Sequence, residues 1–155
     1  MSTLADSLLA KDIHLGMKAS VTRDGIEELL SPLRGDTRVR DWEKMRSALQ
    51  GAFDDEQFGT ASESVFFHHV RTESVTGLVL AAGRSDKAPS GSDPLEGGKS
   101  MIVFVAAIPS ALNNEYLRVL GAISRVCRER ETLDQLLKAG DPHAFLAVME
   151  KGCRQ

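Results

Sequence analysis

Two adjacent histidines, His68 and His69, end the β-prone run Val65-Phe66-Phe67, and Arg71 follows two positions after His69. A neutral imidazole is a competent nucleophile toward a phosphoryl group and can pass that group on. Such a site needs one ring nitrogen exposed, the other held by a hydrogen bond, and donors for the phosphoryl oxygens. A strand end opening into a loop supplies the exposure, and Arg71 supplies positive charge. In an extended segment His69 and Arg71 project to one face and His68 to the other. Spacing alone leaves other readings open: histidines at a strand end also serve as surface or hydrogen-bonded structural residues. A metal site would require a third ligand, and nothing in the sequence brings His14 or His143 near the pair. Neither a metal nor a cofactor is expected. The G-x-x-x-x-G-K-[ST], G-x-G-x-x-G, G-x-S-x-G and H-E-x-x-H signatures are all missing.

The elements that must position these residues change period along the chain. Leu4, Leu8 and Leu9 predict a short opening helix. Ser20 caps a second helix carrying Ile26, Leu29, Leu30 and Leu33 and stopping near Gly35, and Asp41 starts a third with Trp42, Met45 and Leu49 on one face. Residues Gly59 to Ser64 form a polar approach to the histidine strand. Val75 to Ala82 and Met101 to Ala107 are continuous apolar runs of strand length, which suits strands covered on both faces. No helix joins them, so an antiparallel pair is expected, with the Gly-, Pro- and Ser-rich stretch Arg84 to Gly98 as the exposed connection.

Helical spacing then returns. Asn113 or Asn114 precedes a helix carrying Leu117, Leu120, Ile123 and Val126, and Thr132 caps a short helix ending at Gly140. Asp141-Pro142, an N-cap followed by proline at the first helical position, opens a last helix through Phe145, Leu146, Val148 and Met149. Helices around a short group of buried strands predict an α/β fold: one layered domain over residues 1–155, with a mixed β-sheet flanked by helices on both faces.

Composition excludes several partners. The 155 residues are 42% hydrophobic and 26% charged with a net charge of −3, which gives no reason to expect nucleic acid, a partner that favours a basic face. Direct membrane insertion is not expected, because the longest apolar run, Met101 to Pro109, is too short to span a bilayer as a helix. The opening residues lack the features of a signal peptide, and Cys127 and Cys153 have no C-x-x-C pairing. Both point to a cytoplasmic protein with idle thiols.

The order of elements resembles the fructose, mannitol and nitrogen-regulatory type of enzyme IIA from the bacterial sugar phosphotransferase system. Leu4-Ala5-Asp6, Asp12-Ile13-His14-Leu15 and Ser20 through Leu29 resemble that family's opening helix, short strand and capped second helix. Val65-Phe66-Phe67-His68-His69-Val70-Arg71 resembles its I-A-[IL]-P-H-[AG]-[RK] segment, whose histidine takes the phosphoryl group. Met101 through Pro109 resembles its proline-ended strand, and Tyr116-Leu117-Arg118-Val119-Leu120 with the two closing helices resembles its C-terminal third.

The resemblance, spanning roughly residues 4–150, implies that His69 accepts a phosphoryl group from a histidine-containing phosphocarrier protein. It further implies a regulatory target or a separate membrane permease component as partner. The departures from the family pattern are specific. His68 replaces its proline, Tyr116 replaces its second histidine, and its upstream arginine falls at Phe53 or near Gly51, with Arg46 one to two helical turns earlier. Glu63 adds negative charge to the approach. Losing a charge-stabilising donor can cost about 10²–10³ in rate. Arg71, Tyr116 and His68 are the candidates to support the phosphoryl group. The alternatives are a divergent, transfer-inactive binding module with the same fold, and a metal-dependent enzyme using His68 and His69.

Overall fold

A computed structural model describes residues 7–19, 23–54, 59–62, 65–85 and 100–153. Five strands form one mixed sheet: β1 (Leu8–His14), β2 (Gly59–Ser62), β3 (Val65–Arg71), β4 (Val79–Ser85) and β5 (Met101–Ile108). Their spatial order is β1-β4-β5-β3-β2. β1 runs parallel to β4 and β3 parallel to β5, whereas β4 and β5 are antiparallel, as are β2 and β3.

The apolar run of β5 is continuous because both of its faces are covered. Val103, Val105 and Ala107 face a cluster with Ile26, Leu29 and Leu30 of α1 (Arg23–Leu30) and Met45 and Leu49 of α2 (Trp42–Asp54). Ile102, Phe104, Ala106 and Ile108 face the opposite cluster. That cluster is closed by Tyr116, Val119, Ile123 and Val126 of α3 (Asn113–Arg128), Leu136 of α4 (Arg130–Lys138), and Phe145 and Met149 of α5 (Pro142–Cys153). The fold is α/β, a mixed sheet with helices on both faces.

Several local expectations are corrected. Leu8 and Leu9 belong to β1 rather than to an opening helix; Leu4 lies outside the described residues. Leu8 pairs with Leu80 and Ile13 with Ala82, so β1 spends five residues where β4 spends two. This bulge breaks the two-residue period that would have marked a strand. Gly59–Ser62 is a short polar edge strand, β2, where the sequence predicted only an approach loop. Val75 makes an isolated bridge to Val39, and the strand proper starts at Val79.

In α3 the inward stripe keeps Ile123 and Val126 as expected, but at its start Tyr116 and Val119 are buried while Leu117 is 52% exposed. Helix α4 starts at Arg130, ahead of the predicted cap Thr132. Helix α5 starts as expected, with the Ala144 amide donating to Asp141 Oδ1 at 2.8 Å. Ser20 and most of the Gly- and Pro-rich connection lie outside the described residues.

The segment between α1 and α2 is fastened by charge. The Arg38 guanidinium donates to both carboxylate oxygens of Asp36 at 3.0 and 2.9 Å and to Asp12 Oδ2 at 3.2 Å, with a further bond to the Ser7 carbonyl at 2.9 Å. Lys11 Nζ bridges the same two carboxylates at 2.9 and 2.8 Å. The Asp12 side chain is fully buried and that of Asp36 nearly so. The hydrogen bond from Arg38 is the main reason that the Asp36 carboxyl is held well below its ordinary value. This fastened segment in turn holds the chain after β3, because the Thr76 amide donates to the Arg38 carbonyl at 2.8 Å and the Arg40 amide to the Ser74 carbonyl at 2.8 Å.

Removing one partner of a buried ion pair strands the other charge. Arg38→Ala should therefore lower the unfolding free energy in urea at pH 7 by about 3 kcal/mol. Because the folded Asp36 carboxyl is depressed, its contribution is complete above its ordinary value of 3.8 and fades as pH falls below it. The gap between Arg38→Ala and the unaltered protein should narrow over that acidic range, and a gap that stays constant would contradict this assignment.

Candidate functional site

The alternation of β3 sorts its side chains into two environments. Phe67 packs under α3 and Phe66 under α2, and the histidines follow the same parity. His68 is fully buried on the α2 face, with its Nε2 donating to the Leu49 carbonyl at 2.7 Å. Burial is the main reason that its pKa lies below the ordinary value. The placement corrects the expectation that His68 supports a group on His69, since its ring lies under the opposite layer. It also prevents the two imidazoles from sharing a metal ion. Among the described residues, no three His, Cys, Asp or Glu side chains gather as a metal-binding group.

His69 takes the α3 face, half-buried near the C-terminal end of the strand. Its ring centroid lies 5.2 Å from that of Tyr116 and 6.2 Å from that of Phe67. Tyr116 in turn lies 6.4 Å from Phe67, which stacks on Phe104 at 6.0 Å, so the imidazole stands at the rim of an aromatic group rooted in the core. Burial lowers the His69 pKa first, with smaller contributions from His68 and the Arg71 guanidinium. The imidazole is therefore neutral at pH 7, the form in which a ring nitrogen has a lone pair to attack with.

Arg71 ends β3 on the same parity as His69 and is exposed. Its charge acts on Tyr116 as well as on His69, which brings the three residues into one neighbourhood. Tyr116 is only 4% exposed, and burial pushes its phenol up to about 12, so the hydroxyl keeps its proton at neutral pH. Among the described residues that hydroxyl has no hydrogen-bond partner, nor does the buried Oδ1 of Asn113 one turn earlier on α3. An unpartnered buried polar group costs about 1–3 kcal/mol, so each requires an explanation.

Arg46 does not join this neighbourhood. It lies on α2, on the other side of the sheet, and its guanidinium pairs with Glu27 and, at 3.8 Å, with Glu43. The side chains of Phe53 and Glu63 lie outside the described residues. Asn113 was read from the sequence only as a helix-start residue, and nothing in its local pattern marks a buried carbonyl oxygen. Chemically, the arrangement provides a neutral nitrogen nucleophile, a protonated phenol and a guanidinium at one sheet end.

Comparison with known proteins gives a consistent result. The family model described as "Phosphoenolpyruvate-dependent sugar phosphotransferase system, EIIA 2" matches residues 7–152. The fructose-specific EIIABC component of Bacillus subtilis is 24% identical over 148 residues, covering 96% of this chain but 23% of that much longer protein. Among solved structures, the nitrogen regulatory protein IIA-Ntr of Neisseria meningitidis superposes with a TM-score of 0.74 at 18% identity, covering 96% of this chain and 99% of that one. The mannitol IIA of Escherichia coli superposes with a TM-score of 0.64 at 20% identity, covering 92% and 99%. An Escherichia coli complex of enzyme IIAMTL with phosphorylated enzyme IIBMTL matches with a TM-score of 0.66 at 18% identity, covering 94% and 98%.

The electrostatics of His69 can be checked directly. In an NMR titration its imidazole should show a midpoint below 6.5, and Arg71→Ala should move that midpoint upward by removing a neighbouring positive charge. Because burial is the larger cause, the midpoint should stay under 6.5 even in the variant. A midpoint at or above 6.5 in the unaltered protein would contradict the assigned environment.

Proposed function

The chain belongs to the phosphoenolpyruvate-dependent sugar phosphotransferase system EIIA 2 family, and on that premise we propose that it is a IIA-type phosphocarrier or regulatory protein, one IIA-like domain with His69 as phosphoryl acceptor. The observation that carries the proposal is the half-buried, neutral imidazole of His69 held against Tyr116 at the end of β3. The donor is a histidine-containing phosphocarrier protein. An unprotonated ring nitrogen of His69 forms the new N–P bond as the N–P bond to the donor histidine breaks, so the step itself requires no proton transfer.

The Arg71 guanidinium and the Tyr116 hydroxyl are suited to stabilise the negative oxygens of the group in transfer. The phosphoryl group then passes to a IIB-type component of a separate membrane permease, or its charge changes the affinity for a regulatory target. The Escherichia coli mannitol relative, solved with phosphorylated enzyme IIB, supports the first route. Among the described residues no helix is long and apolar enough to cross a membrane, and the proposal places the protein in the cytoplasm.

A second reading, a transfer-inactive binding module, is favoured by one observation: Arg46 is engaged by Glu27 on the far side of the sheet, which among the described residues leaves Arg71 as the arginine acting on His69. Incubation with a phosphoenolpyruvate-driven donor relay separates the two. The proposal expects an acid-labile phosphohistidine that His69→Ala abolishes and that Arg71→Ala slows by about 10²-fold. Label in the unaltered protein no greater than in His69→Ala would leave only the binding module, for which His69→Ala should not alter partner affinity.

A further inference from the structure

Two buried polar atoms on one helix face have no hydrogen-bond partner among the described residues, the Tyr116 hydroxyl and Asn113 Oδ1. They are spaced i and i+3 on α3, so they lie one above the other toward the same side. Tyr116 fixes which side that is, because its ring meets both His69 and Phe67. The chain leaves β5 at Ile108 and turns through Ser110–Leu112 into α3, while β3 runs parallel to β5. The start of α3 therefore lies over the C-terminal end of β3, and Asn113 sits one turn beyond Tyr116 in the direction of Arg71.

We propose that the first turn of α3 is an oxyanion cradle beside His69, with Asn113 as a positioning residue that donates its side-chain amide and Tyr116 as its hydroxyl donor. This deepens the phosphocarrier reading and rests on it for its biological role. The oxygen and nitrogen of an asparagine amide exchange positions by a simple flip of the group, which turns the buried acceptor into a donor. A tetrahedral oxyanion there is met by the amide, by the phenol, by the positive field of Arg71 and by the partial positive charge of the helix start. The same donors account for why α3 keeps two polar atoms buried that nothing within the described protein satisfies.

The test uses inorganic phosphate as the probe, with NMR titration of the His69, Tyr116 and Asn113 signals in the full chain at pH 7.5 and low salt. Two variants keep the shape of the site. Tyr116→Phe deletes only the hydroxyl. Asn113→Asp keeps the side-chain outline but offers a negative acceptor, while a carboxylate at a helix start favours the helix. Tyr116→Phe removes an unpartnered hydroxyl and should melt no lower than the unaltered protein, so a purely structural role predicts no loss of phosphate affinity in that variant.

The cradle predicts that phosphate affinity falls about tenfold in Tyr116→Phe and further in Asn113→Asp. Asn113→Gln, which restores an amide, should recover part of the affinity that Asn113→Asp loses. Equal affinity in all forms, or no phosphate binding by the unaltered protein, overturns the cradle. The outcome is independent of the relay experiment. Phosphate binding lost in these variants without any phosphohistidine would support the cradle and remove the carrier role, whereas normal labelling with equal phosphate affinities would do the reverse.

Discussion

The parallel pairing of β3 with β5, in unbroken register from Val65↔Ile102 to Arg71↔Ile108, is the constraint on which the candidate site depends. Both strands are covered on both faces, so the identity of every side chain on each face is decided together. On β5 the alternation separates Val103, Val105 and Ala107 from Ile102, Phe104, Ala106 and Ile108. On β3 the same alternation delivers His68 to the Leu49 carbonyl and His69 to Tyr116. Neighbouring imidazoles thus acquire different surroundings: one becomes a buried strut between sheet and helix, the other a half-open ring at the rim of the aromatic group.

The site is assembled from opposite directions. From below, Phe104 and the Phe67 stacked on it carry the core out to the His69 ring, which meets Phe67 at a tilt. From above, α3 lays Tyr116 across the same rings, and the turn through Ser110–Leu112 directs the helix start toward the strand end. The exit of β3 is held from outside as well. The Glu73 carboxylate accepts the Ser110 amide at 2.9 Å, and the Arg38 carbonyl accepts the Thr76 amide. The ionic knot of Lys11, Asp12, Asp36 and Arg38 therefore contributes to the site at one remove, by keeping the chain after Arg71 in place. Preorganisation of this kind matters most where charge must be stabilised without rearrangement.

What the sequence made legible follows from physics that is local. β5 is an apolar run, β3 is β-branched and aromatic at its start, and Asp141-Pro142 is a helix start in almost any context. The parity that puts His69 with Arg71 was equally plain. What escaped was non-local. The bulge in β1 hid its period, and the polar edge strand β2 carries no apolar signal of its own. The α3 stripe holds at Ile123 and Val126, yet at its start Leu117 faces outward and Tyr116 inward, a choice made by the aromatic group waiting on the sheet. Tyr116 is marked in the sequence only by the family resemblance, and Asn113 only as a helix-start residue.

The adjacency of His68 and His69 has a consequence for how the strand tolerates insertions and deletions. A one-residue deletion just after His69 that drew the strand forward would put His68 beneath Tyr116 and Phe67 beneath Leu49. An imidazole would still stand at the rim of the aromatic group, while the hydrogen bond that ties the sheet to α2 would be gone. A one-residue insertion at the same place would do the reverse, putting His69 beneath Leu49 and the inserted residue beneath Tyr116. The twin histidines therefore let a one-residue slip in either direction keep one of the two contacts, but never both.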